Sequence, residues 1–181
     1  DGVPFRLTFS LTPTLCSMLR DELLQERYIQ YLQRAIALAE AEIGRTGHDS
    51  RIQALAHFYH DRFRNTLCLY EERWQRDLVG AFARLQELGV VEIITCAATH
   101  AFLPLMENFP EAIRAQIRIA CAHYRECFGR DPRGIWLPEC GYVAGLENYL
   151  AEANLRWFVI DSHGLMFANP RPRYVIFAPC Y

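Results

Sequence analysis

The run Gly134-Ile135-Trp136-Leu137-Pro138-Glu139-Cys140-Gly141-Tyr142 constrains the fold more than any other stretch of the chain. Its opening apolar triplet reads as a short buried strand. Pro138 has no N–H to offer a sheet ladder, so the strand ends there. Glu139 is then set at the C-terminal lip of that strand, flanked by Trp136 and Tyr142. In α/β barrels the loops leaving this lip form the active-site face. A carboxylate held there among aromatic rings is placed to attack or protonate a sugar. A helix-capping or salt-bridged glutamate after an ordinary strand fits the same local pattern.

The surrounding rhythm supports the strand. Val90-Val91-Glu92-Ile93-Ile94-Thr95-Cys96 is a near-continuous β-branched run, as expected of a parallel strand covered on both faces. Pro110 opens a helical pattern through Ile113, Ile117, Cys121, Tyr124 and Phe128, which Gly129 closes. A helix follows from about Leu146 to Ala153, then a buried-type strand Trp157–Ile160 that ends at Asp161-Ser162-His163-Gly164. Strands alternating with helices predict an α/β fold with a parallel sheet or barrel. Three polar clusters, Thr99-His100, Glu139 and Asp161-Ser162-His163, each follow a strand, and a barrel brings such ends to one face.

Before these strands the chain is different. Pro4–Ser10 reads as a strand and Leu11–Leu15 as a turn or short helical connection. Leu24, Tyr28, Tyr31, Leu32, Ile36, Ala39 and Ile43 recur at three- and four-residue steps, predicting a helix over 21–43. Residues 44–50 break it, and a second helical pattern from Ile52 to Leu85 reads as one helix or two in succession. Residues 21–88 are therefore expected to form a long helical insertion, an antiparallel hairpin, within a single barrel domain spanning 1–181. Both ends of that domain look cut. Tyr174–Tyr181 reads as a further strand.

Composition narrows the classes. The net charge of −2 implies no general attraction to nucleic acid or to an anionic membrane, and no apolar run reaches membrane-spanning length. Nothing at the start reads as a signal peptide. All 19 basic residues are arginine, which reflects genome composition more readily than design. Seven cysteines without a C-x-x-C pair read as reduced thiols of a cytoplasmic protein, not as a disulfide framework or a zinc cage.

Taken together, several segments resemble glycoside hydrolase family 57. Trp136–Tyr142 resembles the nucleophile motif of that family, and Glu92–Leu105 its preceding signature region. Val3-Pro4-Phe5 through Thr12-Pro13, and Asp161–Gly164 followed by Pro170-Arg171-Pro172-Arg173-Tyr174, are similar to it in order and spacing. Within the family the 1,4-α-glucan branching enzyme group is the nearest likeness. The resemblance implies an incomplete (β/α)7 barrel and a retaining reaction on α-glucans, with no cofactor and no metal. Glu139 matches the nucleophile, and His100 matches a histidine that hydrogen-bonds the sugar near the cleavage point. Trp136, Tyr142 and His163 join it as substrate-binding candidates, the aromatic rings because their faces suit the apolar faces of sugars. The family's first-strand histidine motif is expected before Asp1 and its acid/base aspartate beyond Tyr181. Asp161 is not placed in that role and reads as a helix cap or loop anchor.

Other readings compete. Within the family, an α-amylase or a 4-α-glucanotransferase differs only in the acceptor. A polysaccharide deacetylase-like metal hydrolase also uses a partial barrel, but needs an Asp/His set at strand ends. A non-catalytic glycan-binding module is a third class. His57 and His60, three residues apart on a helix, are two potential metal ligands without a third. His100 also reads as a buried, hydrogen-bonded histidine, and Cys140 as a small packed side chain without a local histidine partner.

Overall fold

The computed structural model describes residues 4–178. Two compact units are present, one within residues 4–16 and 85–178 and the other Ser17–Arg84. The first holds four strands, β1 (Leu7–Ser10), β2 (Val91–Cys96), β3 (Gly134–Trp136) and β4 (Trp157–Val159). All three pairings are parallel, and the strands lie side by side in chain order. A doubly wound sheet reverses its order at a switch point, whereas a barrel wall runs on in sequence. The α/β class and the parallel strands expected of a partial (β/α)7 barrel are therefore present.

The β-branched run of β2 is buried at Val91 and from Ile93 to Cys96. Beside it, alternation along β3 sends Ile135 and Leu137 to one face, both with no exposed surface. They meet Ile113, Ile117 and Cys121 of α5 (Pro110–Phe128), and Leu146 and Leu150 of α6 (Leu146–Glu152). α5 begins with Pro110 in its first turn and ends at Gly129, whose left-handed φ of 65° suits glycine, with its N–H bonded to the Arg125 carbonyl. Truncating a core residue such as Ile117 to alanine would cost about 2–5 kcal/mol. One buried polar knot sits at this interface. Gln86 Oε1 accepts the Ile93 N–H at 3.0 Å, and the Tyr124 hydroxyl lies 2.9 Å from both Gln86 Oε1 and the Ile93 carbonyl. Burial raises the Tyr124 phenol pKa, opposed by the Gln86 bond.

β1 leads into α1 (Pro13–Arg20). In the second unit α2 (Glu22–Arg45) and α3 (Ser50–Cys68) pack as a hairpin. Asp21 caps α2 by accepting the Leu24 N–H, and Asp49 caps α3 by accepting those of Arg51 and Ile52. The second helical pattern resolves into two helices. α3 runs into a π-helical turn, Leu69–Arg73, and Gln75 and Arg76 then take positive φ of 49° and 65°. Asp77 accepts the Gly80 N–H at 2.8 Å in the first turn of α4 (Leu78–Glu87).

Past β4 comes a short helix, α7 (Ser162–Met166). The strand expected from Tyr174 is corrected: Val175–Phe177 is a 3₁₀ turn, and residues 179–181 lie outside the described residues. Among the described residues no strand is bonded to the outer edge of β4, so the run lacks the ladder its residue types favour. No helix among them is long and apolar enough to cross a membrane.

Candidate active site

Two loops build the site, one leaving β2 and one leaving β3. The first is held by α5. The Ala98 N–H donates to the Gln116 carbonyl at 3.1 Å, and the Thr99 N–H donates to Gln116 Oε1 at 2.9 Å. Gln116 Nε2 in turn donates to Thr99 Oγ1 at 2.8 Å, and Thr14 Oγ1 reaches the Ala98 carbonyl at 3.3 Å. His100 closes the turn, its N–H bonded to the Ala97 carbonyl and its φ at 57°.

In the second loop, Pro138 stops β3 and a tight 3₁₀ turn follows, closed by Cys140 N–H to the Leu137 carbonyl and Gly141 N–H to that of Pro138. Glu139 (φ 54°, ψ 26°) and Cys140 (φ 53°) are both left-handed. For residues with a β-carbon that conformation costs roughly 1–2 kcal/mol each, and such strain gathers at functional sites. Phe102 then ties the loops together, since its ring covers Gly141 where a β-carbon would stand.

These turns bring His100 and Glu139 into contact, with Nε2 3.2 Å from Oε1. The other ring nitrogen, Nδ1, lies 3.3 Å from the Cys96 sulfur at the end of β2. Cys96 has no exposed surface, and burial pushes its thiol up to about 11, the Ala97 N–H working in the opposite direction. The Glu139 side chain is 76% exposed and that of His100 46%. His100 is thus not a buried core histidine, and Glu139 caps no helix.

Trp136 is half-buried in β3, in register with Cys96 and Val159. Tyr142 stacks on Phe158 with centroids 5.5 Å apart, and its hydroxyl donates to Glu147 Oε2 at 2.8 Å. That carboxylate also accepts the Gly145 N–H. A bond from its own backbone N–H, and then that from the Tyr142 hydroxyl, lowers the Glu147 pKa, while the bond to Glu147 raises that of the Tyr142 phenol. His163 lies on α7, well exposed, with Nδ1 4.0 Å from Asp161 Oδ2. Among the described residues no hydrogen bond or ion pair joins it to His100 or Glu139. Asp161 occupies the N-cap position of α7 without a side-chain capping bond. It does stand near the second loop: burial raises the Cys140 thiol pKa, and the charges of Asp161 and Glu139 add to the effect.

Away from the site, His60 pairs with Asp61 at 3.3 Å on α3. Among the described residues no three His, Cys, Asp or Glu side chains gather as a metal-ligand group. A cavity of about 530 Å³, lined by Arg6, Thr8, Glu92, Tyr124 and Arg133, lies at the opposite, N-terminal ends of the strands and contains none of the candidates. Sequence reasoning missed Gln116, Phe102 and Cys96. Only Cys96 left a readable signal, its four-residue spacing from His100.

Parallel strands in chain order, with polar groups collected beyond their C-terminal ends, place the chain among (β/α) barrels. The sequence profile of Glycosyl hydrolase family 57 matches residues 8–180, and the chain belongs to that family. It is 35% identical over 176 residues to the 1,4-alpha-glucan branching enzyme TK1436 of Thermococcus kodakarensis, covering 89% of this chain and 25% of that protein. The crystal structure of the alpha-amylase AmyC from Thermotoga maritima is similar at TM-score 0.91 and 41% identity, over 97% of this chain and 34% of that one. That of a GH57-type branching enzyme from Pyrococcus horikoshii gives 0.86 and 32%, over 94% and 34%. The chain thus spans a quarter to a third of the length of these relatives.

Proposed function

We propose that this chain is the central part of the catalytic barrel of a retaining α-glucan-active enzyme, a 1,4-α-glucan branching enzyme. The contact between His100 Nε2 and Glu139 Oε1 carries this reading. It fixes one carboxylate oxygen of an exposed glutamate and leaves the other for a substrate. Glu139 acts as nucleophile: its oxygen bonds to the anomeric carbon as the α-1,4 bond breaks, and the leaving O4 takes a proton from an acid. The 6-hydroxyl of another glucan chain then attacks the same carbon, giving its proton to that group and releasing Glu139. Two inversions retain the α configuration, which requires the second carboxyl group about 5–5.5 Å from the first. That group is expected outside these 181 residues, so the isolated chain should turn over little or no amylose.

Trp136 and Tyr142 offer rings to glucose units, and His163 supplies a hydrogen-bonding group at the neighbouring strand end. The partner in this reading is an α-glucan, not nucleic acid or a membrane, and the setting is cytoplasmic glycogen biosynthesis. Cys16, Cys68, Cys96, Cys121, Cys127 and Cys140 stand outside any disulfide, which favours that compartment. The likeness to an alpha-amylase favours a second reading, in which water replaces the 6-hydroxyl.

The test uses a full-length polypeptide carrying this chain, wild type and Glu139→Gln, with amylose. Falling iodine absorbance with few new reducing ends, abolished by the substitution, supports branching. Parallel growth of reducing ends indicates hydrolysis, and unchanged activity in the variant removes Glu139 from the chemistry.

A further inference from the structure

Cys96 is the last residue of β2 and fully buried, yet its sulfur faces a partly exposed imidazole. A neutral imidazole carries hydrogen on one nitrogen only, and a carboxylate can only accept. For the 3.2 Å contact with Glu139 to attract, that hydrogen has to sit on Nε2. Nδ1 is then a bare acceptor, and a protonated thiol is the group that suits it. We propose that Cys96 is a positioning residue for the nucleophile: its S–H donates to His100 Nδ1, selects the Nε2–H tautomer, and so keeps an N–H on Glu139 Oε1.

Two further observations point the same way. Burial keeps the thiol protonated well above neutral pH, so it remains a donor. The clamp of Gln116 on Thr99, with the left-handed backbone of His100, sets where the imidazole starts and limits its swing. With Cys96 unable to donate, the Nε2–H tautomer is held by Glu139 alone and the Nδ1–H tautomer gains population. It would turn a lone pair toward Glu139 Oε1, and the carboxylate would rotate away. The inference rests on Glu139 as nucleophile.

The experiment compares Cys96→Ala and Cys96→Ser in the full-length polypeptide, with Glu139→Gln beside them. Two quantities are read: the burst of aryl alcohol from an aryl α-maltooligosaccharide, which reports glycosyl-enzyme formation, and the side-chain ¹⁵N shifts of His100, assigned with His100→Gln. Cys96→Ala is expected to slow the burst about tenfold, the value of one hydrogen bond, and to shift the ¹⁵N pattern toward Nδ1–H. Cys96→Ser keeps a donor and should stay within about threefold, with the Nε2–H pattern intact. Equal slowing by both variants, or an unchanged ¹⁵N pattern in Cys96→Ala, overturns the proposal. A burst that persists in Glu139→Gln overturns the nucleophile reading instead.

Discussion

The ring of Phe102, from the loop after β2, lies over Gly141, from the loop after β3. A β-carbon at Gly141 would stand 2.9 Å from Phe102 Cδ2 and Cζ, and closer still to Cε2. The φ of Gly141 is an ordinary −70°, so a larger residue is opposed here by contact with the ring and not by backbone conformation.

Gly141→Ala should therefore destabilise the protein by about 1–3 kcal/mol through overpacking. It should also lower glucan turnover, because Phe102 moves and the two loops separate. Thermal melting and initial rates on the same variant check both. Adding Phe102→Leu should restore part of the stability.

Gln116 spends both ends of its side-chain amide on Thr99. Gln116→Met keeps the volume and removes both bonds. The His100 turn then loses its side-chain anchor and keeps only the backbone bond from Ala98 and the Thr14 contact, and turnover should fall on the order of tenfold. Kinetics alongside circular dichroism separate this from unfolding.

Glu139→Ala should reduce glucan turnover by about 10³-fold or more, since an absent nucleophile is not compensated by its neighbours. Azide fits the space vacated and should restore bond cleavage, giving a glycosyl azide of β configuration. Proton NMR of the product reads the anomeric coupling; an α product would contradict nucleophilic attack by this residue.

The Cys96 thiol sits at about 11 in the fold, against an ordinary 9.0. Below pH 9 it is protonated whether the chain is folded or unfolded, and its contribution is intact. As pH rises from 9 to 11 the unfolded chain gives up the proton first, so stability falls. Cys96→Ser does not titrate in this window. Its melting temperature should drop less than that of wild type between pH 9 and 11, measured by scanning calorimetry.

Much of the barrel segment was legible because single residues punctuate it. Pro110 and Gly129 bracket α5, and Pro138 stops β3. Elsewhere the punctuation fails. The π turn at Leu69–Arg73 interrupts a pattern whose apolar spacing continues, and Gln75 and Arg76 bend the chain without a glycine or proline to announce it. The only local cue was Asp77 ahead of Leu78-Val79. The run from Tyr174 has the residue types of a strand, but strands depend on a neighbour that composition does not reveal. At the site, the placement of Glu139 and His100 beyond strand ends could be read from the sequence. Their contact could not, because it depends on two left-handed turns and on Gln116, seventeen residues from Thr99 along the chain.

α5 carries Ile113 and Ile117 into the core and Gln116 to the loop, all within one and a half turns of the same rigid rod. The imidazole's position is therefore inherited from the hydrophobic interior. A void opened beneath Ile117 would tilt the rod, and the tilt would register at Glu139 as a misaligned hydrogen bond. Substitutions that look remote and purely structural would then be read out as kinetic defects well before the protein begins to melt.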